Sequence, residues 1–488
     1  VILVLLLLQQ LVAAPPALRV QFVHALTPES RAALYTALRY TWPYWCRPEQ
    51  REPEGPWRYW FQISGRGSGK TRVAAQQIIR WAQENPGIRI LLAGSDAGNC
   101  RKVMVDGQSG ILASSPPWFE PHYYPTLKRL VWPNGSLAEL HSAEEPKTFR
   151  GPQYHKGWVE ELFHWSIPRG MTEPIAWKEG VVSSVRLGAN TQVIVTSTPR
   201  MTEFCEDLLL GKRDDHGRRP ISDPELLYGK APASWAHEFE IEVDGIKQKV
   251  RLVVSRSSTE RNKAFLAPGF AEDLRRQFEG SRLEQQELDG IILARIEGAL
   301  WTTEGLDQNR VDGVPRIGRT LVAVDPTRAD APVHEAGIVV GGLGKDDGHA
   351  YVWDDRTVKG SLAVWGWAAI QAYRTYRAEA IVFESNRLSD QDKRFLMSLD
   401  RSVKWVPVKA TKDKMQRAEP VAALYAPPEV RVHHVRDRRN PMVLERLEDE
   451  MVSWNPQDGR DSPSRMDALV WLVVALLLQP PRQQLRLI

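Results

Sequence analysis

Trp60-Phe61-Gln62-Ile63, then Ser64-Gly65-Arg66-Gly67-Ser68-Gly69-Lys70-Thr71, then the helical run 71–83: this stretch decides the fold. An apolar strand enters a glycine-rich turn, and Lys-Thr opens a helix. Such an order builds a phosphate cradle. Glycines let backbone N–H groups point inward, the helix N-terminus adds partial positive charge, and Lys70 is placed to reach β- and γ-phosphates. The Thr71 hydroxyl is placed to bind Mg²⁺. The usual spacing is G-x-x-x-x-G-K-[ST]. Here Ser64 holds the leading position and Gly65 comes one residue late. A plain glycine-rich turn before a helix is the competing reading.

A phosphate loop that hydrolyses ATP needs a metal-binding acid and a water-orienting acid at the end of another strand. Gly157-Trp158-Val159-Glu160-Glu161 supplies the pair, Glu160 for Mg²⁺ and Glu161 for the attacking water. A solvated glutamate pair is the plainer alternative. Val195-Thr196-Ser197-Thr198-Pro199 ends another apolar strand with hydroxyls suited to sensing a γ-phosphate, although a strand stopped by proline reads the same way. With further runs at 88–93, 157–163 and 191–197, short strands alternate with helices. That predicts an α/β fold with a mostly parallel sheet.

The 488 residues suggest about two to four domains. Apolar residues at 42% and charged residues at 25% exclude a disordered chain, a collagen-like rod and a coiled coil. Lys+Arg 64 against Asp+Glu 60 leaves +4, so any basic surface must be local. Cys46, Cys100 and Cys205 form no CxxC pair, which argues against a zinc knuckle or disulfide framework and for a reducing compartment. The apolar run Val1 to Leu8 lacks a basic flank, and Gln9-Gln10 interrupt it short of the ~20 residues of a membrane span. It reads as a packing helix, and no membrane partner is expected. We expect three parts: a phosphate-loop domain at 1–210; an insertion, helical subdomain and linker at 211–317; and a further domain at 318–488. Within the middle part, 238–254 reads as a hairpin turning at Asp244-Gly245, followed by helix over 268–290 and a linker at 302–318.

In this order the motifs resemble the large terminase subunit of tailed bacteriophages and gene-transfer agents, a DNA-packaging ATPase and nuclease. The likeness runs from Arg47-Pro48-Glu49-Gln50 to the last helix. It is carried by GRGSGKT (65–71), FRGPQY (149–154), the acidic pair at 160–161, STPR (197–200) and STERNKAFLAPGF (258–270). The resemblance implies a P-loop ATPase domain of the ASCE-like kind followed by a ribonuclease-H-like nuclease domain. By it, Gly65, Arg66, Gly67, Ser68, Gly69, Lys70 and Thr71 form the ATP-binding Walker A loop. Glu160 and Glu161 form Walker B, with Glu160 where the family usually has Asp. Ser197 and Thr198 form the coupling motif, Arg150 is a candidate arginine finger acting on a neighbouring subunit, and Gln50 is a candidate adenine contact. The implied partners are double-stranded DNA, a portal protein, a small terminase subunit and a homo-oligomeric ring. The implied place is the host cytoplasm and, transiently, the procapsid portal, not the mature virion. A helicase with an inactive appendage, or a non-catalytic prophage remnant that docks on portal or small subunit, fits the same residues.

The C-terminal part begins afresh. Strands at 320–324, 336–342 and 349–353, a helix at 362–377 and a strand at 380–384 follow the ribonuclease-H-like order, which makes the first and fourth strands neighbours. Asp325 ends the first, Glu384 ends the fourth, and Asp467 lies near the start of the last helix, 464–478. Clustered carboxylates repel unless cations neutralise them, so the expected chemistry is two-metal phosphodiester cleavage with Mg²⁺ or Mn²⁺. Read singly, Asp325-Pro326 is a turn and Asp467 is the acid of a capping box with Ser464. Asn386 is placed to orient substrate or metal water, and Glu335 or Asp330 is a further candidate ligand. Residues 401–440 hold ten Lys/Arg and four Asp/Glu, a stretch that His433 and His434 extend at lower pH and that suits a DNA backbone track.

Overall fold

The structure, a computed structural model, describes residues 15–478 except 150, 166–172, 201, 215–218, 230, 244–245, 279–282, 294–295, 297, 327–334, 411–412, 428–429, 438–439, 441 and 457–461. The opening apolar run, Arg150, Asp330 and the Asp244-Gly245 turn therefore lie outside the described residues. The chain forms two compact units, one through Glu279 with Glu284–Leu293, the other comprising Gly280–Leu283 and Ala294 onward.

The first unit is organised by a nine-stranded sheet. Its strands are β1 (Tyr59–Ser64), β2 (Arg89–Gly94), β3 (His122–Tyr124), β4 (Arg129–Val131), β5 (Leu137–Ser142), β6 (Lys156–Glu160), β7 (Gln192–Ser197), β8 (Ala233–Val243) and β9 (Ile246–Ser257). The order is β3-β4-β5-β2-β6-β7-β1-β9-β8. The run from β5 to β9 is parallel, with antiparallel pairs at both edges. Every residue of β1, β6 and β7 is buried, as expected where helices and loops cover both faces of a parallel sheet. One face packs Phe61, Phe163, Trp177 and Val195; the other packs Trp60, Ile78, Trp81 and Trp158. The helix Lys70–Glu84 follows β1 directly and contributes Val73, Ile78 and Trp81 to the second face. The segment 211–317 is divided between the units: β8 and β9 extend the first sheet beside β1, with the helices Phe270–Phe278 and Leu283–Asp289 after them. The stretch read as a linker carries the helix Thr303–Gln308 and a short strand.

Glu49 joins the entry to β1 and the exit of β9. It is 7% exposed. Its carboxylate accepts from Arg47 Nε at 2.9 Å, Arg261 Nε at 2.8 Å and Ser257 Oγ at 3.0 Å.

The second unit is built on an eight-stranded sheet. Its strands are β10 (Val311–Asp312), β11 (Ile317–Asp325), β12 (Glu335–Gly344), β13 (Ala350–Asp355), β14 (Val358–Lys359), β15 (Ala380–Glu384), β16 (Trp405–Val408) and β17 (Val432–Arg436). β11, β12 and β13 run antiparallel in sequence, and β15 returns parallel to β11. Val324, Trp365, Ile370 and Phe383 form the core between this sheet and the helix Leu362–Thr375. On the sheet lies the last helix, Ser464–Val473, whose residues Arg465–Val473 are all buried. Its approach depends on Gly337, the register partner of Asp325. A Cβ there would stand 1.9 Å from the Ser464 carbonyl oxygen. Arg465, 3% exposed, fixes the same turn. It pairs with Glu335, with Asp355 at 2.9 Å and with Glu450 at 2.8 Å. Glu450 also accepts the backbone N–H groups of Arg465 and Met466, at 2.9 and 3.2 Å.

Two predictions follow from this packing. Gly337→Ala should destabilise the second unit by about 1–3 kcal/mol, because the opposing atom is backbone and cannot turn away; urea denaturation followed by tryptophan fluorescence reads the change. Glu49 is held down to about 2 from its ordinary 4.5: burial pushes it up, but Arg261, Arg47 and the Ser257 hydroxyl outweigh that. A depressed carboxyl stabilises the fold above its unfolded value and loses that contribution as pH falls through the folded one. Glu49→Gln should thus cost on the order of 2 kcal/mol near neutral pH, and the gap to the unsubstituted protein should close as pH falls from 4.5 toward 2. Denaturation midpoints near pH 7 and pH 3 check it.

Candidate functional site

The parallel strands of the first sheet end at one edge, and the chemistry gathers there. Ser64 closes β1. Its hydroxyl accepts the Ser257 N–H at 3.1 Å, which ties the loop to β9. Glycine is required one residue later, since a Cβ on Gly65 would lie 2.1 Å from the Leu288 carbonyl oxygen. Gly67 and Gly69 take left-handed φ of 71° and 95°, a region open to glycine. Lys70 then begins the helix with its ammonium turned back over the loop, 8% exposed. Lys70 Nζ donates to Thr198 Oγ1 at 3.2 Å and to the Ser64 carbonyl at 3.3 Å, and lies 3.4 Å from Glu161 Oε1. Arg66 pairs with buried Glu287, and its charge is felt at Glu161. Gln50, 5% exposed, accepts the Arg47 N–H at 3.0 Å. Its amide nitrogen would be 3.0 Å from a Cβ on Gly69.

Glu160 and Glu161 take opposite roles. Glu160 ends β6, with Oε2 accepting Trp158 Nε1 at 3.1 Å and the Thr196 hydroxyl at a shorter distance. Its other oxygen accepts the Thr71 hydroxyl at 3.2 Å. Burial, reinforced by the Glu161 charge, pushes the Glu160 carboxyl up. Glu161 follows at a left-handed φ of 48°, rare for a residue with a side chain. Its N–H is held by the Thr196 carbonyl at 2.6 Å, and Oε2 accepts the Thr198 N–H at 2.9 Å and Ser197 Oγ at 3.3 Å. Burial works against its charge, yet Lys70, His164 and the Thr198 amide hold it below the usual range. The pair is thus split into one acid inclined to keep its proton and one ionised base. The Thr71 hydroxyl beside a carboxylate oxygen is an all-oxygen donor set that suits Mg²⁺. Thr198 touches both Lys70 and Glu161, and Ser197 touches Glu161.

In the second unit Asp325 and Glu384 end the adjacent parallel strands β11 and β15. Asp467 reaches them from the last helix. Asp325 is held well above the ordinary range by burial first, then by the Asp467 and Glu384 charges, against the pull of Arg387 and Lys414. Its Oδ1 is buried with no hydrogen-bond partner among the described residues. Each acid meets a cation at 3.4 Å: Asp325 with Arg387, Glu384 with Arg417, Asp467 with Lys414. An orphaned carboxylate oxygen among two further carboxylates is the donor chemistry of a hard divalent ion. As the side chains stand, no three His, Cys, Asp or Glu among the described residues are close enough together to hold one ion.

Asp467 does not close a capping box. Pro463 occupies the cap position, and Asp467 accepts Ser462 Oγ at 2.5 Å instead. Asn386 bonds the Ala410 backbone and faces solvent. Glu335 is taken by Arg465 and Arg446. The basic stretch is not one solvated face. Arg417 lies 4.7 Å from the Trp471 ring centroid and aims at Glu384. His433 and His434 are buried, His434 against Glu448 at 2.8 Å, so they add nothing to a surface track. Sequence reasoning missed Trp158, Arg387, Arg417, Lys414 and Gly337, and gave Arg47, Thr259 and Asn262 no role.

Residues 63–308 match the family described as terminase large subunit, T4likevirus-type, N-terminal, and residues 322–476 match the terminase RNaseH-like domain. No curated protein matches the chain. Among solved structures, the ADP complex of a thermophilic bacteriophage's large terminase is 13% identical over 91% of this chain and 99% of that one, at a TM-score of 0.36. The HK97 bacteriophage large terminase is 14% identical over 92% and 95%, at 0.29. The nuclease domain of the large terminase subunit gp2 of bacterial virus Sf6 is 14% identical over 35% and 96%, at 0.27. With family matches over both units, this chain belongs to the large terminase subunits, with an α/β N-terminal terminase domain and a ribonuclease-H-like C-terminal domain.

Proposed function

We propose that the protein is a genome-packaging motor. ATP hydrolysis in the first unit drives double-stranded DNA through a portal into a procapsid, and the second unit cuts concatemeric DNA. The observation that carries this reading is the contact of Lys70 with both Glu161 and Thr198 at one strand edge. A triphosphate bound to the loop takes Lys70 as its counter-charge, and Glu161, released from that contact, polarises the attacking water. Thr198, bonded to both residues, senses which partner Lys70 holds, and Ser197 reads it through Glu161. Thr71 and Glu160 would hold Mg²⁺, which when bound neutralises charge on the phosphates. Gln50 is assigned the adenine. Arg150 is assigned to the phosphates of a neighbouring subunit, a role worth ~10³–10⁵ in rate in other NTPases, and it requires a homo-oligomeric ring.

For the nuclease, Asp325, Glu384 and Asp467 would hold one or two Mg²⁺ or Mn²⁺ ions, which supply an activated water and stabilise the leaving oxygen. The chain's own part is to set Asp325 and Glu384 at the ends of neighbouring strands β11 and β15 and Asp467 on the last helix beside them, while Arg387, Arg417 and Lys414 offset their repulsion. Portal protein and small terminase subunit are the proposed partners, and the proposed place is the host cytoplasm with transient residence at the procapsid.

Lys70→Ala should lower steady-state ATP hydrolysis by about 100-fold or more and leave Mn²⁺-dependent cleavage of plasmid DNA intact. Asp325→Ala should do the reverse. ATPase turnover with DNA present and gel-resolved cleavage check both; either activity surviving its own substitution refutes that assignment.

A further inference from the structure

We infer that Arg47, Thr259 and Asn262 form a clamp that sets the phosphate loop in its nucleotide-accepting shape from outside. The inference rests on the reading that this loop takes a nucleotide, and it names the residues that position it. Three successive loop carbonyls are each taken by a different side chain. Thr259 Oγ1 donates to the Arg66 carbonyl at 2.6 Å, Asn262 Nδ2 to the Gly67 carbonyl at 2.7 Å, and Arg47 Nη2 to the Ser68 carbonyl at 2.6 Å. In a planar trans peptide the carbonyl of one residue and the N–H of the next point in opposite directions. Fixing the carbonyls of residues 66–68 on one side therefore fixes the N–H groups of Gly67, Ser68 and Gly69 on the other, that of Ser68 also closing the turn onto the Gly65 carbonyl at 3.3 Å. Convergent backbone N–H groups are the anion-binding element of such loops.

The clamp is itself braced. Arg47 Nη1 donates to Asn262 Oδ1 at 2.8 Å, so two of its members lock together. Glu49 holds Arg47 on one side and Arg261 on the other. The Thr259 N–H donates to the Leu288 carbonyl at 2.7 Å, and the Asn262 N–H to the Thr259 carbonyl at 2.9 Å, which fixes the segment that carries both side chains. A separate observation points to a ligand at this loop. The Ser68 hydroxyl is buried, 2% exposed, with no partner among the described residues. The glycines at 67 and 69 can adopt many conformations; without the clamp, the loop would pay the ordering entropy when the nucleotide binds.

The test measures Mg·ADP affinity by calorimetry on the full chain for the unsubstituted protein, Lys70→Ala, Asn262→Leu, Thr259→Val and Thr259→Ser. Asn262→Leu and Thr259→Val should each weaken ADP binding about tenfold, raise KM for ATP and leave kcat within about twofold, since Glu161 is untouched. Thr259→Ser, which keeps the hydroxyl, should bind within about twofold of the unsubstituted protein. Asn262, half-buried, decides the matter if Thr259→Val fails to fold. Unchanged ADP affinity in folded Asn262→Leu, or an equal loss in Thr259→Val and Thr259→Ser, overturns the clamp while leaving the nucleotide site standing. An unsubstituted protein that binds no ADP overturns the nucleotide reading and the clamp together.

Discussion

Repulsion between neighbouring carboxylates is the constraint on which both ends of this molecule turn. Each unit gathers acids at the ends of central parallel strands, and each keeps them there only by placing basic groups among them. In the first unit Lys70 and the Thr198 amide keep Glu161 ionised, while burial and the Glu161 charge leave Glu160 inclined to hold its proton. In the second, Asp325 is pushed up by burial and by two further acids, and Arg387 and Lys414 offset only part of that. Acids perturbed by burial and by one another at strand ends are the mark of a candidate functional site.

Two departures from the usual motifs find local reasons. Ser64 stands where a glycine would open the loop, and its hydroxyl bonds the end of β9, so the side chain strengthens the join between strands. The backbone freedom is kept one residue on, at Gly65, where the Leu288 carbonyl leaves room for nothing else. Glu160 stands where the resemblance implies a shorter acid. The extra methylene is absorbed because Trp158 and Thr196 anchor one carboxylate oxygen, which leaves the other beside the Thr71 hydroxyl. Trp158 has a polar task as well as a packing one.

The strand ends were legible because they obey local rules. Apolar runs stopped by Ser-Gly, Glu-Glu, Ser-Thr-Pro or Asp announce where a buried strand reaches an edge, and the order of strands in the C-terminal part places Asp325 beside Glu384. What stayed hidden depends on contacts between distant segments. Asn262 meets the Gly67 carbonyl across 195 positions, and Arg261 meets Glu49 across 212. No spacing rule reaches that far. The importance of Gly337 comes from the Ser464 carbonyl, which the sequence places on another element altogether. Charge counting gives no side-chain direction: within the basic stretch 401–440, Arg417 and Lys414 point at the acids, and His434 is spent on Glu448.

The two crowds of acids differ in how their charge is balanced, and the difference bears on what each can admit. In the first unit Lys70 pairs with Glu161 at 3.4 Å and can turn from it to a phosphate without leaving the loop. In the second unit three acids meet three bases, so the ion pairs compete with any metal for the same oxygens. Those bases have somewhere else to rest. Arg417 already lies over the Trp471 ring at 4.7 Å, a contact that does not need Glu384. Lys414, with a flexible stem and a side chain 25% exposed, can return its ammonium to water at little cost. Arg387, 33% exposed, is similarly placed. Asp325 Oδ1, buried and unpaired among the described residues, has no such alternative. The carboxylate with no way out faces cations that can leave, and that asymmetry is what a site needs if metal is to displace its internal counter-ions.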